Sequence, residues 1–291
     1  MGERSRVVES VIDWYSVHGR ALPWREPGTS PWGILVSEFM CQQTQVDRVI
    51  PKWLDWMAEW PTPADLADAS PAEAIRRWDR LGYPRRAKWL HGAARELAAV
   101  HGNTVPRDAA ALRSLPGVGE YTAAAIQAFA FGVPAVVLDT NVRRVLARAV
   151  KASASPPATV TNDERSLAQA FVAEPAGATW SQAVMELGAL VCTARTPDCD
   201  HCPIADTCAW LQAGRPAGPP TRRPLPRFEG SDRQARGRVL ATIRTASTSV
   251  TVAELSACWP HAEQRERAIG SLLEDGLIER TRAGRLRLAT D

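Results

Sequence analysis

The sequence predicts an all-α protein with a small winged-helix-like module at its C-terminal end. Through most of the first two hundred residues, apolar side chains recur at helical spacing in blocks separated by short Pro, Gly or Ser/Asp stops. The one strand-like stretch there, Pro134-Ala135-Val136-Val137-Leu138, is too short and isolated to build a sheet. A composition of 45% hydrophobic and 23% charged residues over 291 positions is that of an ordinary globular chain of about two domains. Disorder, collagen and coiled coil are thereby excluded.

The helical blocks run over 6–18, 34–44, 47–59, 72–80, 85–101, 121–131, 141–150, 164–173 and 179–192. Residues 1–211 therefore read as one helical domain. From Ala213 to Arg227 the chain is rich in Pro, Gly and Arg and has no apolar face to bury, so 212–230 reads as a linker. Beyond it, 231–291 holds a helical stretch to about Ala246, a second at Val252–Trp259 and a third at His261–Asp275. An alternating tail with a turn at Ala283-Gly284 closes it. That order is the winged-helix one, used both for DNA contact and for packing or partner binding.

Charge is uneven. The chain sums to +3, but residues 212–291 hold 14 basic and 9 acidic side chains, leaving 21 basic and 23 acidic before them. Phosphate contact by the basic tail is the expectation. No run of 18 apolar residues occurs and Met1-Gly2-Glu3-Arg4-Ser5-Arg6 lacks an apolar h-region, so the expected location is cytoplasmic, with no membrane partner.

Four of the six cysteines fall in Cys192-x6-Cys199-x2-Cys202-x5-Cys208. Four thiolates in so short a loop suit either Zn²⁺ or an iron–sulfur cubane. Zinc sites usually pair two C-x2-C units, and only one is present here, which favours a [4Fe–4S] cluster with a structural role. Next, Leu115-Pro116-Gly117-Val118-Gly119-Glu120-Tyr121-Thr122-Ala123 lies between Ala109–Ser114 and a helix. Gly117 and Gly119 let the backbone turn tightly at a helix start, so that N–H groups point outward toward a phosphate. This is the turn of a helix-hairpin-helix.

Two carboxylates complete the chemistry. Glu38 interrupts the apolar run Ile34 to Met40, where desolvation raises its pKa toward that of a general acid; a buried structural Glu is the plainer reading. Asp139 follows Val136-Val137-Leu138 and precedes a helix starting near Asn141, so it reads as an N-cap. An N-cap Asp kept ionised by backbone N–H groups and the helix dipole also suits the stabilisation of a cationic transition state. Carboxylates in opposite proton states are the usual apparatus for breaking a glycosidic bond.

Together, Leu22-Pro23-Trp24-Arg25, Ser37-Glu38-x-Met40-x-Gln42-Gln43-Thr44, Leu81-Gly82-Tyr83, the hairpin, Leu138-Asp139-x-Asn141-Val142, Gln182-Ala183-x-Met185-x-Leu187-Gly188-Ala189 and the four cysteines resemble the helix-hairpin-helix, iron–sulfur DNA glycosylases. The resemblance is to the endonuclease III superfamily and, within it, the MutY-type adenine glycosylases, over about residues 10–210. It implies a two-lobed helix-hairpin-helix glycosylase fold with a cluster loop. The implied activity flips adenine out of duplex DNA opposite 8-oxoguanine or guanine and hydrolyses its glycosidic bond, as a monomer on nucleoid DNA.

By that resemblance Glu38 is the acid that protonates adenine, Asp139 stabilises the oxocarbenium-like sugar, and Tyr121 and Asn141 hold this centre. Trp24, Arg25, Cys41 and Gln182 form the adenine pocket. Gln42, Gln43, Thr44, Tyr83, Gly117, Gly119 and Thr122 meet DNA, with Gln42 and Tyr83 entering the base stack. Bifunctional relatives carry Lys where Tyr121 stands, so a glycosylase without strong lyase activity is implied. Departures from the family pattern are Cys41 for Leu, Pro84 for a second Tyr, Thr140 for Gly, and a C-terminal segment too short for a Nudix-like domain. A mismatch-specific thymine glycosylase of the same superfamily is the alternative enzyme, and a non-catalytic iron–sulfur DNA-binding protein the alternative outside enzymes.

Overall fold

The computed structural model describes residues 2–172, 176–218 and 227–290. It is almost entirely helical, and its one named sheet among the described residues is a two-stranded antiparallel hairpin near the C-terminus. The described backbone divides into two compact units, one formed by 1–38, 106–114 and 118–222, the other by 39–105, 115–117 and 223–291. No described helix is long and apolar enough to cross a membrane.

The first unit contains α1 (Glu3–His18), a 3₁₀ turn Pro23–Arg25, most of α2 (Pro31–Cys41), α7 (Ala109–Ser114), α8 (Glu120–Phe131), α9 (Thr140–Lys151), α10 (Asn162–Phe171), α11 (Gly177–Leu190) and α12 (Ala209–Gln212). Its core gathers Val8 and Val11 of α1, Val145 and Leu146 of α9, and Val184 and Leu187 of α11, all buried. Residues 134–138 join α8 to α9 as extended chain without strand pairing, so the apolar run packs rather than pairs. Val137 is buried against Ala125 and Ala128 of α8.

The second unit contains α3 (Val46–Glu59), α4 (Pro63–Asp68), α5 (Pro71–Trp78) and α6 (Arg85–Val100), followed much later in sequence by the C-terminal module. Trp56 stands edge-on to Trp60 and Trp78, with ring centroids 4.6 and 5.7 Å apart, and anchors the packing of α3 on α5. Both α4 and α5 start with Pro in the first turn and a reciprocal capping box, Thr62 with Asp65 and Ser70 with Glu73. The six-residue α4 is an addition to the predicted helices, because its one buried Leu66 offers too little periodicity to be seen.

The module consists of α13 (Asp232–Thr245), a 3₁₀ turn Glu254–Ala257, α14 (Ala262–Glu274), β1 (Ile278–Arg280) and β2 (Leu286–Leu288). Ile278 pairs with Leu288 and Arg280 with Leu286, which sets Ile278, Leu286 and Leu288 on the buried face. The expected middle helix is only a 3₁₀ turn, since Pro260 and the short apolar face of 252–259 give it no room to extend. Of the linker 212–230, residues 219–226 lie outside the described residues.

Candidate active site

Glu38 comes from α2, a helix whose side chains from Trp32 to Met40 are otherwise buried. Pro31 starts that helix and Ser30 Oγ accepts from the Gly33 amide at 3.1 Å, so the run is helical from its first turn. Glu38 is the one carboxylate the helix carries, and it is only partly exposed. Burial pushes its carboxyl up to about 7, and the nearby charge of Asp139 adds to the rise. The Tyr121 hydroxyl, which donates to it, and the Arg25 guanidinium oppose the shift. A carboxyl held there is protonated in about half the molecules at neutral pH, the state a general acid needs.

Asp139 is the N-cap of α9. Its Oδ1 accepts from the Val142 amide at 2.6 Å, and its Oδ2 accepts from Asn141 Nδ2 at 2.8 Å. Burial raises its pKa, while these donors and the Arg144 charge pull it back toward the ionised form. The two carboxyls thus differ less by burial than by supply of donors. Asn141 is itself held: its Oδ1 accepts from Arg144 Nη2 at 2.7 Å, and Arg144 also donates to the Gly188 and Cys192 carbonyls, each at 2.7 Å. A Cβ on Gly188 would stand 2.7 Å from the Asn141 Cβ, so α9 and α11 approach this closely only because residue 188 is glycine.

A second buried carboxylate, which helical periodicity does not reveal, pairs with the same Arg25 that acts on Glu38. Glu186 of α11 is fully buried, bonds Arg20 Nε at 2.6 Å and accepts from Arg25 Nη2 at 2.9 Å. Burial raises its pKa, but the hydrogen bonds and charges of Arg20 and Arg25 outweigh that and hold it at about 2. Arg25 also lies 5.6 Å above the Tyr15 ring, and the Tyr15 hydroxyl donates to Gln182 Oε1 at 3.3 Å. Trp24, beside Arg25 in the 3₁₀ turn, is 9% exposed. Trp24, Arg25 and Gln182 all belong to the first unit, whereas Cys41 belongs to the second. A glutamate inside the apolar run Ala183 to Leu190 was the available sequence signal.

Glu186→Ala takes the shared carboxylate from Arg20 and Arg25 and is expected to destabilise the fold by about 3 kcal/mol, read from the denaturant midpoint. The native pair's contribution is expected in full above the ordinary carboxylate range, and to be lost as pH falls toward 2.

The hairpin turn corrects one expectation. Gly117 has φ +78°, and a Cβ there would meet Phe39 Cε1 and Trp89 Cβ at 2.8 Å, so both conformation and space demand glycine. Gly119, the N-cap of α8, is in ordinary extended backbone with open space around it and uses none of that freedom. The Thr122 side chain is 4% exposed, so a phosphate contact from that position falls to its backbone.

In the second unit, Gln43 is exposed with φ +55° and Tyr83 is 56% exposed with φ +48°. Gln42 and Thr44 are tied inward: Arg86, almost fully buried, donates to the Phe39, Met40 and Gln42 carbonyls and to Thr44 Oγ1, and Thr44 donates to the Leu81 carbonyl at 3.2 Å.

The four clustered cysteines line one cavity, together with Arg148 and Trp210. Arg148 Nη1 donates to Cys192 Sγ at 3.4 Å and to the Thr193 carbonyl at 2.7 Å. Four thiols gathered on one cavity, one of them accepting from the Arg148 guanidinium, are the donor set of an iron–sulfur cluster.

The sequence of residues 36–169 matches the HhH-GPD superfamily base excision DNA repair proteins, and residues 192–208 match the iron–sulfur binding domain of endonuclease III. The adenine DNA glycosylase of Mycolicibacterium smegmatis is 49% identical over 280 residues, covering 96% of this chain and 94% of that one. The Homo sapiens adenine DNA glycosylase is 41% identical over 212 residues, which are 70% of this chain and 39% of that one. Among solved structures, a thermostable thymine-DNA glycosylase superposes with a TM-score of 0.65 at 25% identity, over 72% of this chain and 97% of that one. Endonuclease III in a non-covalent DNA complex gives 0.62 at 21% identity, over 74% and 99%.

Proposed function

This chain belongs to the adenine DNA glycosylase family of the HhH-GPD base excision DNA repair superfamily, and from that premise we propose that it removes adenine mispaired with 8-oxoguanine or guanine from duplex DNA. It acts on nucleoid DNA in the cytoplasm, as a monomer. The observation that carries the reading is Glu38: a carboxyl held near 7, bonded to Tyr121 and facing the charge of a capped Asp139.

Glu38 gives its proton to a ring nitrogen of adenine, so the C1′–N bond breaks with the electron pair leaving on a neutral base. Asp139 in its ionised form, which the Val142 amide and Asn141 favour against the rise that burial imposes, stabilises the positive charge that grows on the sugar. Water then adds at C1′ and loses a proton, which completes hydrolysis. Trp24, Arg25 and Gln182 line the adenine side. Gln42 and Tyr83 meet the base stack, Gln43 contacts DNA beside them, and Gly117 and the backbone amides of the hairpin meet phosphate. The [4Fe–4S] cluster of this family binds through Cys192, Cys199, Cys202 and Cys208 and supplies metal–sulfur bonds that close the loop; Arg148 holds that loop to α9 through the Thr193 and Ala194 carbonyls.

Single-turnover excision is the test, on duplexes with A opposite 8-oxoguanine, A opposite G, T opposite G and A opposite T, each read with and without alkali. Excision of A opposite 8-oxoguanine or G, visible only after alkali, is expected. Activity on T opposite G with none on A would favour the thymine reading, to which the likeness to the thymine-DNA glycosylase structure points.

Tyr121 stands where a lysine would form a Schiff base with the sugar. Tyr121→Lys is therefore expected to add strand nicking that needs no alkali and to trap covalently with borohydride.

A further inference from the structure

The loop Asp79–Pro84, between α5 and α6, carries the exposed Tyr83 in an unusual backbone: Asp79, Gly82 and Tyr83 all have positive φ, at +47°, +83° and +48°. Two of these are not glycine, so something must hold them. From the inside, Trp78 Nε1 donates to the Gly82 carbonyl at 2.9 Å and Arg86 Nη2 to the same oxygen at 3.1 Å, with the Arg86 guanidinium 5.3 Å from the Tyr83 ring.

The C-terminal module, more than 140 residues later in sequence, holds the loop at both ends. Arg244 of α13, only 11% exposed, pairs with Asp79 Oδ1 at 2.9 Å and also donates to the Asp79 carbonyl. At the other end Asp275, fixed by Arg236, pairs with Arg85 at 3.3 Å. Lys88 donates to the carbonyl of Gly276, which has φ +60°, at 3.2 Å. Meanwhile three polar side chains of α14 bond within the module: Gln264 to Gly230 and Asp232, Arg265 to the Trp259 carbonyl, Arg267 to Asp232. A helix so engaged is poorly placed to read base edges.

We propose that the C-terminal module is a splint for the Tyr83 loop, with Arg244 and Asp275 as positioning residues that hold Tyr83 where DNA meets it. This rests on Tyr83 meeting the base stack as set out above. The splint bonds are charge-assisted, and Arg244 makes its own from a largely buried position, so losing one loosens a loop whose backbone is intrinsically disfavoured.

The test uses the full-length, cluster-loaded protein carrying Arg244→Ala, Arg244→Lys, Asp275→Asn, Tyr83→Ala and the Arg244→Ala/Tyr83→Ala double substitution. Two readouts are made: hydrogen exchange of the amides at 79–84, and the single-turnover excision rate of A opposite 8-oxoguanine. Arg244→Ala is expected to speed exchange across the loop and to slow excision about 10-fold or more. Arg244→Lys should recover most of that loss, and Asp275→Asn should act in the same direction from the other end.

The double variant should be no slower than Tyr83→Ala alone, because a positioning residue has nothing left to position. Loop exchange unchanged in both Arg244→Ala and Asp275→Asn overturns the splint. A double variant slowed by the product of the two single effects also overturns it, since Arg244 would then act through the fold at large. If Tyr83→Ala excises at the native rate, the role given to Tyr83 falls, and the exchange readout alone decides whether the module grips the loop.

Discussion

Glu38→Gln is expected to lower the single-turnover rate of adenine excision by about 10³- to 10⁴-fold, the scale on which a positioned general acid works. Gln fills the same space on α2 and still bonds Tyr121, but it has no proton to give. In the native enzyme the rate is expected to fall about tenfold per pH unit above 7, where the acid form is depleted. The residual activity of the variant should show no such limb. The linkage runs the opposite way for stability. A carboxyl whose folded pKa is raised contributes fully below its unfolded value near 4.5, and that contribution is lost as pH rises through 7. At pH 8 the native protein therefore carries an ionised, desolvated Glu38 at a cost of about 3 kcal/mol, and Glu38→Gln is expected to unfold at higher denaturant than the native chain. An inactive variant that is also more stable cannot owe its inactivity to misfolding. Native-like excision by Glu38→Gln would leave Glu38 a structural residue.

Asp139→Asn is expected to cost about 10³-fold in the same rate, the loss met when one preorganised electrostatic contact to a developing charge is removed. Here the chemistry and the fold separate cleanly. Asn caps a helix as well as Asp does, so its oxygen still accepts from the Val142 amide and α9 keeps its start. What disappears is the negative charge beside the sugar. Loss of rate with a denaturant midpoint close to native is the expected pair of results. A large loss of stability would show instead that the ionised cap holds the helix. Removing the Asp139 charge also removes one cause of the raised Glu38 pKa, so the alkaline limb of any residual activity should move to lower pH.

Much of this site was legible before any coordinates. Glu38 announced itself by breaking an apolar helix, Asp139 by preceding one, and the cysteines by spacing alone, because each is a local mismatch between a residue and its run. What stayed hidden is long-range. Glu186 lies within a run that reads as ordinary helix core, and only the approach of Arg20 and Arg25 from the other end of the chain shows why a carboxylate is tolerated there. The grip of Arg244 on Asp79 joins residues 165 positions apart, and no periodicity encodes such a pair. Gly119 erred the other way: a glycine beside a true left-handed glycine looks equally necessary, yet its backbone is extended. Short elements failed for want of repeats, as α4 shows with a single buried leucine.

Gly188 bears on all of this from outside the reacting centre. Because α9 and α11 touch where residue 188 has no side chain, the aim of Asn141 at Asp139 is set by the gap between two helices. A single carbon added there acts as a wedge at the short arm of a lever whose long arm ends on the Asp139 carboxylate. Inheritable damage to such an enzyme need not touch any group that does chemistry: a methyl group in the wrong crevice changes the bearing of one that does.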